Sequence, residues 1–280
     1  MVYFVGAGCG AEDLITLRGM RLLEKADVII YAGSLVNPKL LDYARSDCQI
    51  HNSAKMTLEE VIEVIKEAEE SGKMTVRLHT GDQSLYGAVR EQMDELDRLG
   101  ISYQSVPGVS ACFGAAASLN LEYTLPGLSQ SLIITRMEGK TKVPEKESIQ
   151  SFASHHSTMA IYLSSGMTEE LSRRLTEGGY EAETPAVIIY KASWPEEEKY
   201  FCTVGTLHQT AVEHKITKTA LILVGDVIAQ VAGATAGAVN GTARAERGTA
   251  SPAAQYQKSR LYAADFETEF RKARKGGSKK

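Results

Sequence analysis

Short apolar, β-branched runs alternate with helical patterns from the first residue onward, and this alternation limits the fold more than any other feature. Each such run followed by a helix predicts a βα unit, and successive units build a largely parallel sheet. The predicted fold class is therefore α/β. The first half predicts five strands, at residues 2–5, 27–31, 48–51, 75–79 and 103–106.

Helix signals lie between these strands. Thr57 and Glu60 have the spacing of a capping box, which predicts a helix that begins at residue 58 and ends near Gly72. A second apolar stripe predicts a helix from Leu85 that ends at Gly100.

The second half repeats the alternation after the turn at residues 125–127. Strands are predicted at 132–135, 159–163, 186–190, 199–202 and 220–224, and helices at 146–154, 168–176 and 206–214. The connection around Trp194 is too short for a crossover helix, which favours an antiparallel pair and hence a mixed second sheet.

The predicted organisation has two α/β domains, at residues 1–122 and 123–228. Residues 229–255 are rich in Ala, Gly and Thr, without a hydrophobic period, and are predicted to be a flexible linker. Residues 256–280 regain aromatic character before a basic end, which predicts a short docking segment with a solvated tail.

Composition excludes several classes of function. A net charge of −4 argues against bulk binding of nucleic acid. No apolar run reaches the roughly 18 residues of a membrane span, and the N-terminus lacks the pattern of a signal peptide, so we expect a cytoplasmic protein that does not enter a membrane. The four cysteines are scattered without metal-ligand spacing, so no metal site is predicted.

Three turns follow predicted strands. Residues 6–10 read GAGCG, which fits a nucleotide-binding loop and a plain tight turn equally, and lacks the spacing of the dinucleotide fingerprint. Residues 80–83 and 107–111 follow two further strands, where open α/β sheets bind ligands. The alternative is that Asp82 or Ser84 caps the next helix. Two such turns at one sheet edge favour a shared crevice.

These turns, together with Asp13 to Thr16, resemble the tetrapyrrole methylase family over about residues 1 to 228. The resemblance implies a two-domain enzyme, usually a homodimer, that binds S-adenosylmethionine (SAM) in the cleft between its domains. The segments 31–36, 51–57, 77–82, 132–136 and 219–225 look like the members that methylate carbon 11 of precorrin-4 or cobalt-precorrin-4.

By position in the family pattern, the resemblance implies a set of cofactor contacts. They are Cys9, Gly81, Asp82, Gln83, Tyr86, Ser110, Ala111, Leu163, Ala192, Thr219 and Ala220. Cys9 and Gln83 stand where the family usually has proline, so a residue that stiffens the loop is missing at each place.

The implied acceptor is a macrocycle fringed by carboxylates, which Arg and Lys suit. Candidate substrate-binding residues are Lys55, Arg77, His79, Arg136 and Lys191. For each cation the alternative is a solvated surface charge, and for His79 a polar residue satisfied within the protein. No catalytic residue is predicted, because methyl transfer to carbon depends mainly on alignment.

Two other functions fit the same residues. One keeps the fold and SAM but changes the acceptor to uroporphyrinogen or a diphthamide precursor. The other is a nonenzymatic protein that binds a nucleotide or a tetrapyrrole.

Overall fold

The computed structural model describes residues 1–231 and 256–274. Two compact units make up this part of the chain. The first comprises Met1–Leu119, Ile189–Lys199 and Thr219–Leu221, and the second comprises Asn120–Ile188, Tyr200–Lys218 and the described part of Ile222–Lys280. The predicted domain boundary at residue 122 stays a prediction. Most of the predicted linker, from residue 232 to 255, lies outside the described residues.

The first sheet is parallel and has five strands, in the order β3-β2-β4-β1-β5. They are β1 Val2–Gly6, β2 Val28–Tyr31, β3 Gln49–Asn52, β4 Thr75–His79 and β5 Tyr103–Val106. The prediction of a five-stranded, largely parallel first sheet is confirmed. β1, β2 and β4 are buried on both faces, which explains why they read as continuous apolar runs.

Helices cover both faces of this sheet. They are α1 Leu17–Leu23, α2 Leu58–Glu70, α3 Arg90–Leu99 and α4 Ala111–Leu119. One apolar cluster joins Leu23 of α1 to Ile29 and Leu78, and the other joins Ile65 of α2 and Leu96 of α3 to the opposite face. Strand residues therefore alternate between two cores.

The predicted capping box of α2 is confirmed. Thr57 Oγ1 accepts a hydrogen bond from Glu60 N at 3.3 Å, and Glu60 Oε2 accepts one from Thr57 N at 2.7 Å. Both bonds satisfy backbone donors that the first helical turn leaves unpaired.

The predicted start of the next helix is wrong: α3 begins at Arg90, not at Leu85. Tyr86 and Ala88 have φ angles of 56° and 48°, in the left-handed region, so the backbone cannot continue as a right-handed helix there. The proposed cap at Asp82 or Ser84 is therefore also wrong.

The second sheet is mixed, as predicted, with the order β6-β7-β10-β8-β9. β6 pairs with β7 in parallel and β7 pairs with β10 antiparallel. The strands are β6 Leu132–Arg136, β7 Thr158–Tyr162, β8 Pro185–Tyr190, β9 Glu198–Thr203 and β10 Ala220–Val224. The helices are α5 Ile149–Ala153, α6 Thr168–Glu177 and α7 Leu207–Glu213.

The described C-terminal segment, residues 256–274, folds around one arginine. Arg271 Nη2 donates to the carbonyl oxygens of Leu261, Ala263 and Phe266. Gln257 N donates to Pro126 O at 2.7 Å, which attaches the segment to the second unit. Across residues 1–231 and 256–274, no helix combines the length and apolar character that a bilayer crossing requires.

Candidate functional site

Three loops meet at one edge of the first sheet, where the neighbouring strands β4, β1 and β5 end. Ala7 N donates to His79 O at 2.7 Å, Gly8 N to Gly81 O at 3.2 Å, and Gly81 N to Gly8 O at 2.8 Å. The turns after β1 and β4, which are far apart in the sequence, are thus joined by backbone hydrogen bonds. This edge is where open α/β sheets bind their ligands.

Glycines make this meeting possible. A Cβ atom on Gly6 would lie 2.6 Å from Gly108 Cα and from Gly81 O, and one on Gly108 would overlap Gly81 O. Gly81 itself has φ of 63°, which side-chain-bearing residues rarely adopt. These glycines therefore allow the loops to pack closely against one another.

Asp82 fixes two of the loops to each other. Its Oδ2 accepts from Gly108 N at 2.8 Å, and its Oδ1 accepts from Ser84 N at 2.9 Å and from the Ser84 hydroxyl. Burial acts to raise the pKa of this carboxyl, but the hydrogen bonds from Ser84 and Gly108 outweigh it and lower the pKa. Asp82 is thus an anionic clamp between the loops after β4 and β5.

Unpaired polar atoms concentrate beside this clamp. Among the described residues, His79 Nε2, Thr80 Oγ1 and Gln83 Oε1 are buried without a hydrogen-bond partner. A buried polar group left unpaired costs about 1–3 kcal/mol, so such atoms call for partners that a ligand or water supplies. The loops thus fit a polar organic molecule that brings its own donors and acceptors.

The segment Ile189–Lys199, which belongs to the first unit, contains a fourth loop. Lys191 N donates to Thr219 O at 2.9 Å, and Lys191, Ser193 and Thr219 have φ angles of 47°, 66° and 58°. Left-handed residues other than glycine cost energy and tend to gather at functional sites. Cys9 Sγ lies 3.2 Å from Ser193 Oγ, so this loop also contacts the glycine-rich turn after β1.

The residues implied as cofactor contacts fall unevenly between the units. Cys9, Gly81, Asp82, Gln83, Tyr86, Ser110, Ala111, Ala192, Thr219 and Ala220 belong to the first unit. Leu163 belongs to the second unit, where it follows β7 with 62% of its surface exposed and φ of 53°. Their contact with a cofactor stays a prediction.

The family model for the tetrapyrrole (corrin/porphyrin) methylases matches residues 1–208. The chain belongs to the tetrapyrrole methylase family. A cobalt-precorrin-4 C(11)-methyltransferase of Methanocaldococcus jannaschii is 46% identical over 98% of this chain and 97% of its own length.

Solved structures agree with this membership. A cobalt precorrin-4 methyltransferase, CbiF, matches with a TM-score of 0.79 and 41% identity over 81% of this chain and 95% of its own. A uroporphyrin-III C-methyltransferase of Thermus thermophilus, in complex with S-adenosylhomocysteine, matches with a TM-score of 0.69 and 26% identity over 81% of this chain and 98% of its own. The methylase fold thus covers both units.

Two candidate substrate residues of this methylase lie inside the first unit. Arg77 is 6% exposed; its Nε donates to Gln92 Oε1 at 2.9 Å and its Nη1 to Ile30 O at 3.1 Å. His79 is 4% exposed and stacks on Phe4, with 6.1 Å between ring centroids. Their binding of a substrate carboxylate stays a prediction. The Arg77 guanidinium already donates hydrogen bonds within the protein, to Gln92 and Ile30.

The other candidate cations differ in their surroundings. Lys55 is exposed at the end of the 3-10 turn Ser53–Lys55, which follows β3. Lys191 Nζ lies 5.6 Å from the centre of the Trp194 ring and 3.7 Å from Glu196 Oε2. Arg136 donates to the carbonyls of Met137, Thr141 and Lys142 in the second unit. Lys55 is therefore the candidate whose ammonium is most open to solvent.

Two residues of this site carry no signal in the sequence. Gln92 links Arg77 to Ala88, and Ser193 contacts the turn after β1. Neither belongs to a motif, since Gln92 reaches Arg77 across 15 residues and Ser193 reaches Ala11 across 182 residues. Among the described residues, no group of three or more His, Cys, Asp or Glu side chains is arranged to hold a metal ion.

Proposed function

We propose that this methylase transfers a methyl group from SAM to carbon 11 of cobalt-precorrin-4, a step of cobalamin biosynthesis. It is a SAM-dependent C-methyltransferase. The observation that supports the acceptor most strongly is the 46% identity, over 98% of the chain, to the M. jannaschii cobalt-precorrin-4 C(11)-methyltransferase. The CbiF structure, at 41% identity, supports the same acceptor.

The joined loops of the first unit would hold the methyl donor. Asp82 keeps the loops after β4 and β5 together, and the buried Thr80 Oγ1 and Gln83 Oε1 are available to a polar ligand. When bound, SAM supplies a methyl group on a cationic sulfur. The chain's own part is to fix the donor in one orientation, because alignment lowers the barrier of an in-line displacement more than any single acid or base would.

The cofactor assignment is tested by calorimetry with S-adenosylhomocysteine. Gly81→Trp should abolish binding, because the new side chain fills the space beside the loops. Gly100→Trp is the matched control: Gly100 has φ of 69°, close to the 63° of Gly81, and open space around it. Equal loss of binding in both variants would mean that backbone strain, not the site, is responsible.

The acceptor is tested by incubating the enzyme with labelled SAM and either cobalt-precorrin-4 or precorrin-4. We expect one labelled methyl group on carbon 11 of the cobalt form, identified by mass spectrometry and NMR. Faster methylation of the metal-free ring would reassign the acceptor to precorrin-4. Methylation of uroporphyrinogen in place of both would contradict the proposed acceptor and leave the cofactor assignment standing.

We also infer that the enzyme acts in the cytoplasm as a homodimer. The family resemblance supports the dimer, and four cysteines without a disulfide agree with a reducing compartment. Sedimentation equilibrium tests the homodimer: a mass of twice 30.4 kDa is expected, and the mass of one chain would contradict it. Fractionation of the source cells tests the cytoplasmic location, and recovery of the enzyme outside the cytoplasmic fraction would contradict it.

A further inference from the structure

Ser193 connects two parts of the first unit that lie far apart in sequence. Its Oγ accepts from Ala11 N at 3.1 Å and lies 3.2 Å from Cys9 Sγ. Its own N–H donates to Glu197 Oε2 at 2.6 Å. Burial raises the pKa of the Cys9 thiol, so the thiol stays neutral beside Ser193 Oγ.

The surrounding packing leaves the glycine loop, residues 8–11, little freedom once Ser193 is in place. A Cβ atom on Gly10 would overlap the Trp194 side chain, and one on Gly114 would lie 2.5 Å from Cys9 Sγ. The loop is therefore held between α4 on one side and residues 192–194 on the other. Ser193 supplies two polar contacts to this loop, and Asn37 Nδ2 supplies another by donating to Gly10 O at 2.9 Å. The φ of 66° at Ser193 is a strained backbone conformation for a residue other than glycine.

The glycine loop is also the loop that pairs with Gly81. Gly8 N and O exchange hydrogen bonds with Gly81 O and N. Any displacement of the glycine loop therefore moves the edge of the proposed donor site. Loss of the Ser193 hydroxyl would leave Ala11 N without this acceptor and the Cys9 thiol without this hydrogen-bond partner.

We propose that Ser193 is a positioning residue that latches the glycine loop in the conformation that binds the methyl donor. The proposal rests on the proposed donor site. It assigns to Ser193 no contact with the donor itself: the hydroxyl acts through Ala11 and Cys9. Opening of the latch would expose Cys9 and weaken donor binding, while the rest of the first unit stays folded.

Cys9 reports on this latch without any ligand. Alkylation by iodoacetamide requires the thiolate, so a buried thiol reacts only when its surroundings open. Cys9 is 6% exposed and Cys112 is fully buried in α4 nearby. The experiment measures the alkylation rate of each cysteine in the native full-length enzyme by peptide mass spectrometry. Ser193→Ala should speed alkylation of Cys9 about tenfold and leave the Cys112 rate unchanged, since one hydrogen-bonding group is lost locally.

Matched variants separate the latch from general damage. Ser172 is also half-buried, and its hydroxyl donates to Val204 O at 2.6 Å in the second unit, so Ser172→Ala should leave the Cys9 rate unchanged. Ser193→Gly removes the hydroxyl while relieving the strained φ, and it should speed alkylation as Ser193→Ala does. Equal acceleration at Cys9 and Cys112, or no acceleration at Cys9, would overturn the proposal.

Binding of S-adenosylhomocysteine tests the link to the donor. We expect Ser193→Ala to weaken calorimetric affinity about tenfold, and Ser172→Ala, which loses a hydroxyl that bonds Val204 O in the second unit, to preserve it. Unchanged affinity in a Ser193→Ala enzyme with accelerated Cys9 alkylation would overturn the positioning role. Failure of the parent enzyme to bind would instead overturn the proposed donor site, and the alkylation rates would still decide whether Ser193 holds the loop.

Discussion

His79 is a histidine that folding keeps neutral. It is 4% exposed at the end of β4, between Arg77 and the loop that carries Gly81. Burial lowers the pKa of its imidazole to about 3, and the charge of Arg77 adds to the effect. The unfolded chain restores an ordinary pKa near 6.5.

The stability of the enzyme should therefore fall as the pH drops below 6.5. Between 6.5 and about 3 the unfolded state binds a proton at His79 that the folded state does not, so acid favours unfolding. This group should contribute a slope of about 1.4 kcal/mol per pH unit. Chemical denaturation at a series of pH values measures it, and His79→Gln should remove that slope.

A second histidine variant tests whether the pH dependence of stability belongs to His79 in particular. His155 is exposed in the second unit, and His155→Gln should keep the slope of the parent. A parent slope that survives in His79→Gln would assign the acid sensitivity to other groups, and would show that folding does not lower the pKa of His79.

At the scale of elements, the segment between β4 and α3 is held by contacts from outside it. Gln92 Nε2 donates to Ala88 O at 2.9 Å, and Gln92 Oε1 accepts from Arg77 Nε at the same distance. Asp82, at the other end of the segment, holds Gly108 N. These contacts stabilise the left-handed turn that ends in Ala88 and contains Tyr86.

Gln92→Met should loosen this turn, because methionine matches the side-chain length of glutamine but can neither accept from Arg77 nor bond Ala88. We expect weaker binding of S-adenosylhomocysteine, by about tenfold, with the macrocycle's KM little changed. Calorimetry and steady-state kinetics measure the two quantities. A raised KM with unchanged donor affinity would instead favour a role for Arg77 in binding substrate.

The same segment shows where prediction from sequence succeeds and fails. The capping box at Thr57 and Glu60 is predictable, since the two residues satisfy each other within one helical turn. The start of α3 is not, because periodicity at Leu85 is overruled by Asp82 and Gln92, whose partners lie 26 and 15 residues away. Periodicity and capping motifs in the sequence indicate contacts within one helix, and they do not indicate hydrogen bonds to residues far along the chain.

At the scale of the whole molecule, the order of elements along the chain predicts the two sheets but not the membership of every segment. Residues 189–199 comprise the end of β8, the connection that follows and the start of β9, two strands of the second sheet, yet they cluster with the first unit. They carry Ser193 and Trp194, which pack on the glycine loop. Ala192 is predictable only through the family resemblance, since no spacing links it to Cys9.

The C-terminal segment gives a test at this scale. The match to CbiF covers 81% of this chain, whereas the match to the M. jannaschii relative covers 98%. The proposed donor site is complete by Ala220, and the segment is attached at Pro126 and Gly127 of the second unit. Truncation after Val231 should therefore leave affinity for S-adenosylhomocysteine within about twofold of the parent, because affinity depends on the groups that touch the ligand and not on remote surface.

Arg271→Ala tests the segment without shortening the chain. It removes the guanidinium that donates hydrogen bonds to the carbonyl oxygens of Leu261, Ala263 and Phe266, so the segment should lose its fold and become sensitive to protease. The affinity for S-adenosylhomocysteine should stay that of the parent. Limited proteolysis and calorimetry on the same samples measure both. A drop in donor affinity of tenfold or more in Arg271→Ala and in the truncated enzyme alike would make the segment part of the binding machinery. A drop in the truncated enzyme alone would place the effect in residues 232–255 or in the last residues, because Arg271→Ala retains them.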